Sequence, residues 1–176
     1  MRKICIITGA SSGMGKEFAI QIAEKYQNLN LDEIWLLARR KEKLDSAKNE
    51  ILKIKNAPKV KNFQIDLSGT EGSKNYKKIL DDEFQKEDFS VELLVNNAGL
   101  IKRCDAIEFT EEDWDSVIQV NQKMVFFLSQ AFAKQYVEQG DGGKIIKVCS
   151  MLSFQGGIRV PAYTARKRAV MGLTKA

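Results

Sequence analysis

Histidine is absent from all 176 residues. That removes Ser-His-Asp hydrolysis, histidine-ligated zinc and a histidine general base together. Cysteine is scarce: Cys5, Cys104 and Cys149 are odd in number and share no metal-ligand spacing. They read as reduced thiols of a cytoplasmic protein, and no metal site is expected. No apolar run approaches the ~18 residues of a membrane span. The apolar part of the first residues is too short for a signal peptide. Internal repeats, low-complexity stretches and linkers are also missing, so one domain over residues 1–176 is expected. The net charge is +5, but most basic clusters alternate with Asp or Glu on helical stretches, the mark of a solvated face. Without an interleaved aromatic platform, nucleic acid is not an expected partner.

What is present is 44% hydrophobic and 29% charged, enough to build a real core. Lys3–Thr8 is a mostly apolar run suited to a buried parallel strand. Gly9-Ala-Ser-Ser-Gly-Met-Gly15 follows, and then Phe18, Ile22 and Tyr26 recur at helical spacing. Further strands are expected over 33–38, 61–66, 91–95 and 144–149. Helices are expected over 41–56, 71–88 (Tyr76, Ile79, Leu80 and Phe84 inward) and from Thr110 to about Gln139, with a last one from Pro161. Asp113 stands at the capping-box position after Thr110, and Gly140-Asp-Gly-Gly143 stops the long helix. The alternation predicts an α/β fold, a doubly wound parallel sheet with helices on both faces. The last helix has no stop signal and reads as cut short.

Two stretches carry chemistry. Gly9, Gly13 and Gly15 leave room for a pyrophosphate to approach backbone at a helix N-terminus, although such a turn alone is also found in plain surface loops. The second stretch runs from Ser150 to Lys167. Pro161 suits a first helical turn, which puts Tyr163 and Lys167 one turn apart on one face. A cation about 4 Å from a phenol supplies roughly 4 kcal/mol at an effective dielectric of ~20. That is enough to bring a tyrosine from its usual ~10 toward neutrality and make it a proton donor or acceptor. Taken alone, Tyr-x-x-x-Lys is equally an ordinary surface pair. Ser150 ends an apolar run, so its hydroxyl is expected at a strand's carboxyl end, where open α/β sheets put their chemistry.

Together these residues resemble one family, the short-chain dehydrogenases/reductases. Thr8-Gly-Ala-Ser-Ser-Gly-Met-Gly15 resembles its cofactor turn, Asp66-Leu67 its adenine contact and Asn96-Asn-Ala-Gly99 its strand-four motif. Asn121, Ser150, Tyr163 and Lys167 match its catalytic tetrad in order and rough spacing. A narrower likeness over residues 92–174 is to the sugar-acid members, the 2-dehydro-3-deoxy-D-gluconate 5-dehydrogenases or 2-deoxy-D-gluconate 3-dehydrogenases. The resemblance implies a Rossmann sheet in the order 3-2-1-4-5, short of two further strands at its C-terminal side. It departs from the family at Arg166, where a small Ser is usual before the lysine, at Arg168, and at Lys147 in strand five. Extra cations beside Lys167 are expected to lower its pKa and to crowd the ribose site.

The resemblance also implies an oxidoreductase exchanging a hydride between a nicotinamide cofactor and a CH–OH/C=O group. Tyr163 is the implied acid/base, with Lys167 beside it and on the nicotinamide ribose. Ser150 is implied on the substrate oxygen, and Asn121 as the holder of a relay water. Gly9, Ser11, Ser12, Gly13, Met14, Gly15, Arg39, Asp66, Leu67, Asn97, Ala98, Gly99, Tyr163 and Lys167 would contact the cofactor. Arg39 and Arg40 stand where NAD readers carry an acid, which favours NADP over NAD. Lys102, Arg103 and Arg159 are candidates for a sugar-acid carboxylate, with Ser150 and Tyr163 on the same substrate, or else are plain loop cations. A small-molecule substrate and a homo-oligomer are the implied partners. A dinucleotide-binding module without turnover is the alternative.

Overall fold

Ile4 and Ile6 face one side of the first strand, Cys5 and Ile7 the other, and both sides are buried. This is the pattern of a central parallel strand, whose alternate side chains need cover above and below. The structure is a computed structural model that describes residues 1–68, 72–84, 88–140 and 142–176; for 72, 73, 76, 77, 80 and 84 the backbone alone is described. The elements run β1 (Arg2–Thr8), α1 (Gly13–Glu24), β2 (Glu33–Ala38), α2 (Lys41–Ile51), β3 (Lys59–Gln64), α3 (Gly72–Phe84), β4 (Phe89–Asn96), α4 (Glu111–Ile118), α5 (Met124–Gln139), β5 (Lys144–Lys147) and α6 (Pro161–Lys175). The five strands form one parallel sheet in the order β3-β2-β1-β4-β5, as expected.

One face of the sheet is closed by Ala19 and Ala23 of α1 with Leu44, Ala47 and Ile51 of α2. The other is closed by Met124, Leu128 and Phe132 of α5, with Ile79 of α3 packed against that cluster. The side chains of Tyr76, Leu80 and Phe84 lie outside the described residues. All six residues of β2 are buried, Glu33 included. Its carboxylate is not orphaned: the Trp35 indole donates to it at 2.7 Å, and Arg2 and Lys61 pair with it at 3.1 and 3.8 Å. A buried charge needs such partners to be tolerated.

Several boundaries differ from those read in the sequence. Helix α2 ends at Ile51, not near 56: the N–H groups of Lys53, Ile54 and Ala57 turn to carbonyls three residues back, and Asn56 is left-handed (φ 60°) ahead of Pro58. Strand β3 starts at Lys59 and stops before Ile65, whose N–H still reaches the Ala38 carbonyl at 2.9 Å. Strand β5 ends at Lys147, and only the Val148 N–H continues the ladder, donating to Asn96 O at 3.0 Å. The long helix from Thr110 is interrupted by a π-helical turn at Gln119–Lys123 between α4 and α5. At its start the Asp113 N–H donates to the Thr110 hydroxyl at 3.2 Å. The Asp113 carboxylate pairs with Lys102 at 2.8 Å and leaves half a capping box. At its end Gly140 is left-handed (φ 76°) and its N–H returns to Tyr136 O.

Candidate cofactor and active site

The carboxyl ends of β1 and β4 are tied by one hydroxyl. Thr8 Oγ1 donates to Val95 O at 3.3 Å and accepts the N–H groups of Asn97 and Ala98 at 3.1 and 2.9 Å. Asn97 completes the knot, its Nδ2 donating to Thr8 O at 3.1 Å. The glycine turn is thereby pressed against β4. Gly9 is left-handed (φ 69°), and a Cβ there would lie 2.8 Å from Ala98 Cα. A Cβ on Gly15 would collide with the Gly9 carbonyl. Two of the three glycines are therefore required by close approach. Gly13 (φ 56°) has open space around it, and its glycine is required by backbone alone.

Beside this turn lies a cleft of about 230 Å³. Of the cofactor residues expected from sequence, Gly9, Ser11, Ser12, Arg39, Asp66, Leu67, Asn97, Ala98 and Gly99 line it, and Arg40 joins them. Gly13, Met14 and Gly15 form the start of α1 behind it. The Ser12 side chain caps none of that helix's N–H groups and α1 has no acid in its first turn, so its positive end stays available to an anion. Arg40 Nη2 donates to Ser12 Oγ at 3.1 Å, which places a guanidinium beside the glycine turn. Arg39 lines the cleft and acts by its charge on Asp66. Burial pulls the Asp66 carboxyl up, but two hydrogen bonds from Ser68 and the charge of Arg39 outweigh it and hold it below the usual carboxylate range. A dinucleotide pyrophosphate fits a turn whose glycines leave no side chain in its way and whose helix end is unmet by protein acids.

The second group of residues sits around α6 and does not line that cleft. Pro161 is at the first helical position, as expected. Lys167 Nζ lies 5.6 Å from the centre of the Tyr163 ring and donates to Val148 O at the end of β5. Ser150 caps a short 3-10 turn, Met151–Ser153, its Oγ accepting from Leu152 N at 3.2 Å. Ser153, which the sequence reading passed over, is buried and donates to Lys167 O at 2.9 Å, clamping that turn to α6. Arg166 is not on the surface. It is 2% exposed, stacks its guanidinium 4.2 Å over the Tyr163 ring and donates to Asn121 O at 3.3 Å. Arg168 is exposed. Burial first, and the charge of Arg166 second, bring Lys167 down to about 8. Burial pulls Arg166 down to about 10, so it is cationic at neutral pH.

Asn121 is fully buried inside the π-helical turn, where a bare sequence reading would leave a surface Asn. Its side chain links the two groups, exchanging hydrogen bonds with Leu100, which lines the cleft. Two of the three loop cations are engaged by carboxylates. Lys102 is held by Asp113, and Arg159, left-handed at φ 61°, pairs with Asp105 at 3.0 Å. Among the described residues, the exposed Arg103 has no carboxylate partner.

The sequence model of the family described as short chain dehydrogenase matches residues 3–176. The chain belongs to this family. Within it, a 2-dehydro-3-deoxy-D-gluconate 5-dehydrogenase of Dickeya dadantii is 43% identical over 173 residues, covering 98% of this chain and 63% of its own length. The protein of that name from Escherichia coli is 39% identical over 183 residues, with the same two coverages. The sugar-acid likeness therefore extends through the amino-terminal half, beyond residues 92–174. A solved structure from Agrobacterium tumefaciens, assigned as a 2-deoxy-d-gluconate 3-dehydrogenase with bound NADP, superposes with a TM-score of 0.76 at 40% identity, covering 99% of this chain and 63% of that one. The chain thus spans less than two thirds of the length of these short-chain dehydrogenases.

Proposed function

We propose that this chain binds NADP(H) and carries the proton-transfer residues of a dehydrogenase acting on the CH–OH/C=O group of a small sugar acid. The observation that carries it is the joint presence of an anion-ready glycine turn at β1 and the Ser150–Tyr163–Lys167 set at the end of β5, joined through Asn121 and Leu100. The bound dinucleotide would accept or supply the hydride. In the oxidative direction Tyr163 takes the hydroxyl proton of the substrate as hydride leaves its carbon, and in reduction Tyr163 returns that proton. Lys167, its amine near neutral titration, would exchange the proton with Tyr163 and solvent. Ser150 would orient the substrate oxygen with the hydroxyl hydrogen that its capping role leaves free.

The sugar-acid reading draws on the names of the relatives and on Arg103, the loop cation with no carboxylate partner among the described residues. NADP is favoured over NAD by Arg39 and Arg40, which would repel no 2′-phosphate and can bind one bidentately. We place the protein in the cytoplasm as a homo-oligomer. Among the described residues, no helix is long and apolar enough to cross a membrane. A second reading is a module that binds the dinucleotide without turnover, since Ser150, Tyr163 and Lys167 do not line the described cleft. Tyr163→Phe separates the two. It deletes one hydroxyl, and the rate of NADPH oxidation with a 2-keto-3-deoxy sugar acid should fall by about 10²–10⁴-fold while NADPH affinity is kept. Turnover unaffected by the change would remove Tyr163 from the reaction, and binding without any turnover in the unaltered chain would favour the module.

A further inference from the structure

Arg166 is the residue with least reason to be where it is. A guanidinium that is 2% exposed requires compensation, yet among the described residues no carboxylate is paired with it. Its partners are the Tyr163 ring at 4.2 Å and the Asn121 carbonyl at 3.3 Å. That carbonyl belongs to the π-helical turn, which widens the ladder and leaves an oxygen turned toward α6. Arg166 Nη2 also approaches the position a side chain would take on Gly99 at 3.6 Å. The guanidinium thus touches the strand-four motif, the buried Asn and the Tyr–Lys pair together.

We propose that Arg166 is a positioning residue: it fixes the plane of the Tyr163 ring, ties α6 to the Asn121 carbonyl and sets a second cation beside Lys167. This rests on the dehydrogenase reading for its catalytic meaning, but the arrangement is a property of the folded chain. A planar cation can stack on an aromatic face and donate in its own plane at once, which an ammonium cannot. The Asn121 carbonyl accepts this one bond and keeps a second lone pair, so the contact holds the π-helical turn against α6 without closing the oxygen. The charged and titratable groups facing Lys167 are Tyr163 and Arg166 from α6 and Cys149 from the end of β5. Cys149 has the opposite influence, raising the lysine, and Arg166 outweighs it.

The test needs no turnover. Amine acylation followed by peptide mass analysis gives the pH at which Lys167 becomes reactive, in the unaltered chain and in Arg166→Gln. Glutamine keeps a donor for the Asn121 carbonyl and removes the charge. Lys167 is expected to label with a midpoint near 8 in the unaltered chain. In Arg166→Gln the midpoint should move up by about one unit, a roughly tenfold slower labelling at pH 7. An unmoved midpoint overturns the proposal. Arg166→Lys is the second variant, for use also if Arg166→Gln does not fold. It keeps the charge and loses the stack, so Lys167 labelling should stay within about threefold of the unaltered chain while kcat falls by about tenfold or more and NADPH affinity holds. Labelling slowed as far as expected for Arg166→Gln, or an unchanged kcat, overturns it. Should no form turn over, the dehydrogenase reading fails and the Lys167 labelling still decides the role of Arg166.

Discussion

Asn121 and Leu100 exchange two hydrogen bonds: Leu100 N–H donates to Asn121 Oδ1 at 2.8 Å, and Asn121 Nδ2 donates to Leu100 O at 2.6 Å. An amide side chain meeting both backbone groups of one residue mimics a strand pair, and here it does so with a fully buried Asn. Asn121→Ala leaves two backbone groups without partners, each worth about 1–3 kcal/mol when desolvated. We expect a loss of about 2–4 kcal/mol, read as a lower urea midpoint with unchanged slope. A midpoint within error of the parent would mean that water replaces the amide at no cost.

The cofactor preference has its own test. Arg40 reaches the glycine turn through Ser12 Oγ, and Arg39 acts on Asp66. Arg40→Ala should weaken NADPH binding by about tenfold or more and leave NADH nearly unchanged, because a charged hydrogen bond to a 2′-phosphate is worth about 1.5–3 kcal/mol. Fluorescence titration with both reduced cofactors reads the ratio. Equal loss for the two cofactors would assign Arg40 to the shared pyrophosphate instead.

Stability should depend on pH through Lys167. Burial, and then Arg166, lower its pKa from 10.5 to about 8 in the folded chain. Between those values the unfolded chain holds more protons than the folded one, so raising the pH through this window stabilises the fold. Below about 8 the whole penalty of the buried ammonium is present. Lys167→Met removes the group, and its advantage over the parent in denaturant should shrink between about pH 7 and about pH 9.5. A difference that is flat over that range would contradict the depressed amine.

Strand β5 is the edge of the sheet, and its Ile146 is 48% exposed. Unpaired edges with exposed β-branched residues invite pairing with another chain. The 176-residue chain should therefore self-associate as its concentration rises, and Ile146→Lys should reduce this without altering NADPH affinity. Light scattering over a dilution series measures it. A monomer at all concentrations would show that the edge is already protected.

The sheet was readable because its signals are local. Ile4 to Ile7, Trp35 and Leu36 are apolar runs bounded by turn residues, and their order follows from strand–helix alternation. Gly9 and Gly15 were readable for the same reason. Asn121 was not, since its burial depends on a π-helical turn that no periodicity announces. It entered only through resemblance. Arg166 stood out as a departure, but a sequence cannot tell a solvated arginine from one folded under a tyrosine ring. Arg159 was misleading in the opposite way: its carboxylate partner, Asp105, lies in another loop, and pairing between loops leaves no pattern along the chain.

The Thr8 knot has a consequence for the order in which the chain assembles. Its hydroxyl joins residues 89 and 90 positions away, and those contacts form after the longest loop closures in the sheet. During synthesis from the N-terminus, β1, α1 and β2 are complete well before Asn97 and Ala98 emerge. Until then the turn is held from one side only, by the Gly9 and Ala10 N–H groups on Leu37 O of β2 at 2.8 and 3.4 Å, and the β4 wall at Ala98 is missing. The cofactor socket should therefore be completed late in folding, when β4 docks beside β1. Pulse-labelled amide exchange should find the Asn97 and Ala98 N–H groups gaining protection together, and after the paired amides of β1 and β2 and the Gly9 N–H on Leu37 O.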